Sequence, residues 1–277
     1  MKILKTLSDI KQFHKEKEST NVGFIPTMGA LHKGHTSLIE ESKKNNKVII
    51  VSIFVNPTQF GPNEDFDKYP KPIDKDLEIL NKLQVDYLFL PTKEIVYTNN
   101  PTHIKVPYLS ELYCGKTRPQ FFEGVCSIVL RLINLIQPKH LFLGQKDFQQ
   151  YVIIKKMLKD LFLPTIVIPC PIIREKNGLA FSSRNQYLTN HEYQLASQIY
   201  KSLTIGKEIF KKSNEIDSQQ IITKIKNFLQ EFNEINIEYL SVINEKSLLD
   251  VTTPTTKNRV LFAGKINKTR LIDNIEL

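Results

Sequence analysis

With 277 residues, 41% of them hydrophobic and 24% charged, the chain can bury a sizeable core in one large or two medium domains and does not read as disordered. It has no run of about 18 apolar residues to span a membrane, and charges scattered through its first twenty residues exclude a secretory signal, so a cytoplasmic protein with no membrane partner is expected. The net charge of +9 rests on lysines in ones and twos with only six arginines, whereas nucleic-acid readers cluster their charge and favour arginine forks; no nucleic-acid partner is expected, and the field suits small anionic substrates.

Asn21–Ile25 reads as a short apolar strand ending at Pro26, followed by a glycine-punctuated turn and a polar helix from about His35 to Asn45. Lys47–Val55 is a nearly continuous β-branched run, as in a strand buried on both faces of a parallel sheet. Next come a helix over Asp74–Leu83, a strand over Val85–Leu90 and a helix over Val125–Ile136. A short strand over Leu141–Leu143, a helix over Phe148–Leu161 and a strand over Thr165–Pro169 complete the series. Strands alternating with helices predict βαβ units and an α/β fold with a doubly wound parallel sheet. After about residue 178 the pattern changes. Thr189 and Glu192 have capping-box spacing and open a long helix to about Lys212. Ser218–Phe232 reads as a second helix, and Ile237–Ile243 and Arg259–Ile266 as strands. The expected organisation is a first domain over 1–177 and a smaller C-terminal α+β domain over 178–277.

Four segments carry chemistry. Pro26-Thr-Met-Gly-Ala-Leu-His32-Lys-Gly-His35 follows a buried strand and opens a helix, where exposed backbone N–H groups and the helix dipole favour phosphate. Two imidazoles three residues apart can point the same way and donate to the charge that develops as pyrophosphate leaves. A zinc site would want a third ligand at a recognised spacing, which is missing; two exposed histidines at a helix start are the plain alternative. Asn56 and Gln59, in VNPTQFG, sit beyond the carboxyl end of the β-branched strand, where ligands of open α/β sheets bind; a simple Asn-Pro turn fits the same residues. In LGQKDFQQ, Lys146 could hold a phosphate, Asp147 a ribose or Mg²⁺, and Gln150 would point inward one turn on; Asp147 could equally be a helix N-cap. Ser182, Ser183 and Arg184, in GLAFSSRN at the domain boundary, suit a triphosphate; the plain alternative is a capped helix start, where serines are common.

The first of these segments resembles the HxGH signature of the nucleotidylyltransferase superfamily. PTMGALHKGH, VSIFVNPTQFG, GQKDFQQ, GLAFSSRNQYL and TRLIDNI, in this order from about Pro26 to Ile275, together resemble the pantothenate synthetase family. That resemblance implies a Rossmann-like N-terminal domain, a smaller C-terminal domain that closes over the site, and a homodimer. It implies ATP-dependent joining of pantoate to β-alanine through a pantoyl-adenylate, with AMP and pyrophosphate released and Mg²⁺ accompanying ATP. ATP would lie against Met28, Gly29, Ala30, Leu31, His32, Lys33, Gly34 and His35, against Gly144, Gln145, Lys146 and Asp147, near the backbone of Ile173, and against Phe181, Ser182, Ser183 and Arg184. His35 would be the proton donor, His32 its companion on the phosphates, and Lys146 a neutralising charge. Gln59 and Gln150 would hold pantoate with Asn56 beside them, and β-alanine would also reach Gln59. Lys146 would approach from the first domain and Arg184 from the junction loop, meeting at the phosphates on closure.

Some positions depart from the family pattern. Phe121 stands where a histidine is usual before a small-residue turn, Gln145 where glutamate is common, and Phe181 where methionine or leucine is usual. Another HxGH nucleotidyltransferase would need a basic acceptor pocket, whereas Asn56, Gln59 and Gln150 are neutral amides. Cys114, Cys126 and Cys170 have no metal-ligand spacing and read as free, buried thiols.

Overall fold

The computed structural model describes residues 1–17, 21–62, 64–97, 99–212 and 216–277. They fall into two compact units, one of Met1–Gln145 and Ile153–Pro171, the other of Lys146–Val152 and Ile172–Leu277. In chain order the first part holds β1 (Lys2–Leu4), α1 (Leu7–Glu16), β2 (Val22–Thr27), α2 (Lys33–Asn45), β3 (Val48–Ile53) and α3 (Ile73–Lys82). Then come β4 (Tyr87–Phe89), the single turns α4 (Lys93–Val96) and α5 (Cys114–Thr117), α6 (Phe121–Ile136), β5 (His140–Gly144), α7 (Phe148–Asp160) and β6 (Ile166–Cys170).

The six strands form one parallel sheet in the order β1-β4-β3-β2-β5-β6. The winding runs from β2 through β3 to β4 on one side and restarts at β5 and β6 on the other, so it reverses between β2 and β5. All six residues of β3 are buried, as its β-branched run requires. Ile49, Val51 and Ile53 share one core with Ile25, Leu38, Ile39, Leu80 and Leu88, which joins the sheet to α2 and α3.

Strand β2 continues through Pro26, past the point where proline was expected to end it. The Val22 carbonyl accepts from Lys139 on the β5 side, and the Thr27 carbonyl from Phe54 on the β3 side. Alternation therefore turns the missing Pro26 N–H towards β5, whose pairing with β2 ends at Phe24, so no ladder bond is lost. Helix α6 begins at Phe121, four residues before its apolar periodicity does. The expected small-residue turn is its first turn, and Gly124 there has no room for a Cβ, which would sit 2.2 Å from the Thr58 carbonyl oxygen.

The second unit contains α8 (Asn190–Lys212), α9 (Ser218–Leu229) and an antiparallel sheet of β7 (Ile235–Asn244), β8 (Asn258–Ile266) and β9 (Thr269–Glu276) in that order. The Thr189 box forms: the Thr189 N–H donates to Glu192 at 2.8 Å, and the Glu192 N–H to the Thr189 hydroxyl at 3.3 Å. Ile199, Leu203, Ile221 and Ile225 from the helices meet Val260 and Phe262 from the sheet in one core. The architecture is the expected α/β sheet followed by a smaller α+β domain. The boundary, however, falls between Pro171 and Ile172 instead of after residue 177, and the stretch Lys146–Val152 goes with the second unit. Hydrogen bonds explain both shifts: Arg174 is bound to Asp273, and the Lys146 carbonyl to Asn274.

Candidate active site

Loops leave the carboxyl ends of β3, β2 and β5, neighbours on either side of the winding reversal, where open α/β sheets bind ligands. After β2 the backbone turns with Gly29 at φ 81° and Ala30 at φ 50°. Glycine suits the first position because L side chains rarely adopt that φ, and a Cβ there would also sit tightly, 3.0 Å from Asp76 Oδ2 and 3.1 Å from Ile53 Cγ2. Ala30 is held in the left-handed region, which for a residue with a Cβ costs about 1–2 kcal/mol. Asp76 of α3, 1% exposed, accepts from the Ala30 N–H through Oδ2 and from the Leu31 N–H through Oδ1, both at 2.8 Å. Burial pushes the Asp76 carboxyl up from its ordinary value, and the two N–H bonds oppose that rise.

His32 is the N-cap of α2, so the helix starts at Lys33, two residues earlier than its polar pattern suggests. Its Nδ1 accepts from the Gly34 N–H at 3.1 Å, while His35 Nδ1 accepts from the His32 N–H at 3.4 Å. The rings stack with centroids 4.0 Å apart and planes at 26°. A ring nitrogen that accepts an N–H carries no proton, so each neutral imidazole bears its proton on Nε2. The amides of Ala30, Leu31, His32 and Gly34 are thus bound to protein side chains, and that of His35 to the His32 carbonyl. The expectation of exposed N–H groups at this helix start is corrected at these five positions, where the amides are engaged within the protein. Lys33 is exposed, and Met28 and Gly34 half-buried.

After β3, Asn56 caps a 3₁₀ turn over Pro57–Gln59. Asn56 is fully buried and its amide is spent on the protein. Nδ2 donates to Gln59 Oε1 at 3.0 Å and to the Gly124 carbonyl at 3.2 Å; Oδ1 accepts from the Tyr97 hydroxyl at 2.6 Å and from the Thr58 hydroxyl at 3.0 Å. Burial pushes the Tyr97 phenol up, which keeps it the donor. Asn56, expected to orient a ligand, thus has both ends of its amide bonded within the protein, and its Nδ2 holds the side-chain oxygen of half-buried Gln59. Arg118 grips the same turn, donating to the Gln59 carbonyl and to Glu64, and its guanidinium lies 3.7 Å from the centroid of the Phe121 ring. The unusual Phe121 thus serves as a platform for a cation.

In the second unit, Lys146 and Asp147 occupy a 3₁₀ turn over Gln145–Asp147, with Nζ 3.6 Å from the Asp147 carboxylate; half-buried Gln150 follows on the first turn of α7. Gly144, which ends β5, has nothing within 4 Å of where a Cβ would stand. Ile173 accepts from the Phe181 N–H at 3.0 Å, closing a narrow hairpin over the Arg174–Ala180 bridge. Ser182 caps the 3₁₀ turn Ser183–Tyr187, its hydroxyl accepting from the Arg184 N–H at 3.2 Å. Lys146 and Arg184 lie in the same unit, so the expected approach from two different domains does not hold.

Asp76 and Tyr97, and the role of Asn274 within TRLIDNI, escaped sequence reasoning, since each acts from 41 to 128 residues away along the chain. All three cysteines are free and buried. Among the described residues no helix is long and apolar enough to cross a membrane, and no three His, Cys, Asp or Glu side chains cluster to hold a metal ion.

Comparison with known proteins bears on these segments as a whole. The pantoate-beta-alanine ligase family model matches residues 2–276. The pantothenate synthetase of Pseudothermotoga lettingae is 43% identical over 99% of this chain and 98% of its own length, and that of Staphylococcus epidermidis 41% identical over 99% and 96%. The crystal structure of the Thermus thermophilus pantothenate synthetase superposes with a TM-score of 0.95 at 34% identity, covering 100% of this chain and 99% of that one. A Francisella tularensis pantoate-beta-alanine ligase, crystallised with beta-gamma ATP and beta-alanine, gives 0.81 at 35% identity, covering 100% and 97%. With its sheet, its second domain and nearly its whole length matched, the chain belongs to the pantoate–β-alanine ligases, the pantothenate synthetases.

Proposed function

We propose that the ATP-dependent condensation of pantoate with β-alanine runs here through a pantoyl-adenylate, and that His32 and His35 donate Nε2–H to the phosphates. The observation that carries this reading is the reciprocal capping of the two rings, which commits both Nδ1 atoms to backbone N–H groups. A carboxylate acylates poorly until its oxygen becomes part of a good leaving group. Attack on the α-phosphorus places developing charge on pyrophosphate, and donors fixed beforehand stabilise that charge without reorganising. His35 is the proton donor and His32 its companion. Lys146 and the Ser182–Arg184 turn add positive charge and hydroxyls, with Met28 to Gly34, Gly144, Gln145, Asp147, the Ile173 backbone and Phe181 lining ATP. Gln59, its side-chain oxygen held by Asn56, and Gln150 hold pantoate, and the amine of β-alanine then displaces AMP.

Mg²⁺ fits as an ion carried by the ATP phosphates, where it would neutralise charge; the only protein oxygen we assign to it is the carboxylate of Asp147. A homodimer enters this reading from the family resemblance alone, and a cytoplasmic location as the expectation drawn from the sequence. The test supplies ATP, pantoate and β-alanine and identifies the products. AMP and pyrophosphate are expected, with pyrophosphate–ATP exchange that needs pantoate but not β-alanine; stoichiometric ADP would overturn the adenylate route.

A further inference from the structure

Two arginines that the proposed chemistry does not use, Arg174 and Arg259, converge on Asp273 and Asn274 of β9, the centre of the TRLIDNI segment. Arg174 forks onto Asp273, Nη1 to Oδ2 at 2.6 Å and Nη2 to Oδ1 at 2.9 Å, with the Asp273 side chain 5% exposed. The same guanidinium donates to the Gly178 carbonyl at 3.1 Å and lies 3.7 Å from the centroid of the Tyr200 ring. It thereby holds the hairpin that delivers Ser182, whose edge is the Arg174–Ala180 bridge. Burial pushes the Asp273 carboxyl up, while the Arg174 fork and the Asn274 N–H pull it back.

Asn274 is 2% exposed and faces the other segment. Its Oδ1 accepts from Arg259 Nη1 at 2.8 Å, and its Nδ2 donates to the Lys146 carbonyl at 2.9 Å. The orientation of this amide follows from chemistry: a guanidinium only donates and a carbonyl only accepts. Arg259, 4% exposed, is itself fixed by Glu245 and lies 4.3 Å from the centroid of the Phe148 ring, two residues after Lys146.

We propose that Asp273 and Asn274 are positioning residues for the ligation, Asn274 setting the Lys146 turn and Asp273, through Arg174, setting the hairpin that carries Ser182–Arg184. Neither touches substrate; both make two chain-distant segments share one support, so that their charges arrive as a set. The proposal rests on the reading that Lys146 and Arg184 meet the triphosphate. Its premise is geometric: a backbone shift of about 1 Å at a charged group can change rate by about 100-fold.

The experiment is a pair of double-mutant cycles on the full chain, read by pyrophosphate–ATP exchange, with pantoate KM and melting temperature alongside. Asn274→Asp keeps an acceptor for Arg259 and removes the donor to Lys146; Asp273→Asn keeps shape and breaks the fork. Each is expected to slow exchange by about 10-fold or more, leaving pantoate KM within about twofold. Asn274→Asp on top of Lys146→Ala, and Asp273→Asn on top of Arg184→Ala, should cost less than in the native background, because part of the action of each runs through the charge already lost. Effects that multiply in either cycle, or a raised pantoate KM with exchange unchanged, overturn the proposal. If Lys146→Ala and Arg184→Ala alone leave exchange intact, the triphosphate reading is what fails. Should Asn274→Asp or Asp273→Asn not fold, the uncharged Asn274→Ala or Asp273→Ala enters the same cycle. Unfolding of that variant too would make the residue part of the domain core and also overturn the proposal.

Discussion

Asp76→Asn tests whether a buried carboxylate on α3 sets the geometry of the histidine loop. The substitution keeps the shape, but an amide accepts only through Oδ1. Its NH₂ then faces one of the two N–H groups that Asp76 now receives at 2.8 Å. Leaving a buried N–H without an acceptor costs about 1–3 kcal/mol. Removing a charge that burial disfavours returns part of this in global stability, so the melting temperature should move by less than about 5 °C. The two effects do not cancel in loop geometry. Ala30 is held at φ 50° and His32 caps α2 only two residues on, so a slackened loop moves the rings. A loss of about 1.4–2.7 kcal/mol from the transition state slows adenylation by about 10–100-fold. The assay is pyrophosphate–ATP exchange with pantoate, beside a thermal melt. Exchange at the unaltered rate in a folded variant would refute the argument. The pH dependence adds a sign. Because burial raises the folded Asp76 pKa, its proton-linked stability is present below the ordinary Asp value and fades as pH rises through the raised one. The native chain's stability advantage over the Asn variant should therefore be largest in acid and shrink towards neutrality.

Other substitutions separate the remaining roles. His32→Asn and His35→Asn keep an acceptor near Nδ1 for the cap and lose the Nε2 donor, so each should fold and lose turnover on the order of 100-fold; a folded variant with normal turnover removes that histidine from the mechanism. Gln59→Ala and Gln150→Ala should weaken pantoate by about 1–3 kcal/mol in titration calorimetry and leave ATP binding unchanged; the reverse pattern would put the amides in the wrong site. Gly144→Ala meets no protein atom within 4 Å and should melt like the native chain while ATP affinity falls; unchanged affinity would take this strand end away from the nucleotide.

Much of the sheet was legible because β-branched runs such as that of β3 have few other uses, and the Thr189 box marked α8 to the residue. What escaped was short or remote. Three residues of β1 cannot show a period, and the first turn of α6, Phe121–Gly124, is chosen by the Arg118–Phe121 contact and the tight approach of Thr58 to Gly124. TRLIDNI was noticed as a motif but not as a strand, since its alternation breaks where Asp273 and Asn274 are both buried in side-chain bonds. The site residues of the histidine loop stood out by type and spacing. Their partners did not: Asp76 lies on an ordinary charged helix, and only folding brings it under Ala30.

The seven residues Lys146–Val152 also carry a consequence for synthesis. The chain passes from one compact unit to the other after Gln145, again after Val152 and again after Pro171, so no single cut divides it into two complete domains. Asn274 follows Lys146 by 128 residues, and a ribosome adding about 5–20 residues per second needs roughly 6–25 s to cover that distance. For that interval the parallel sheet can close around its own core while the Lys146 turn, already made, waits for the strand that will hold it. A nascent chain stalled anywhere in the second sheet would therefore carry a folded first unit without this support.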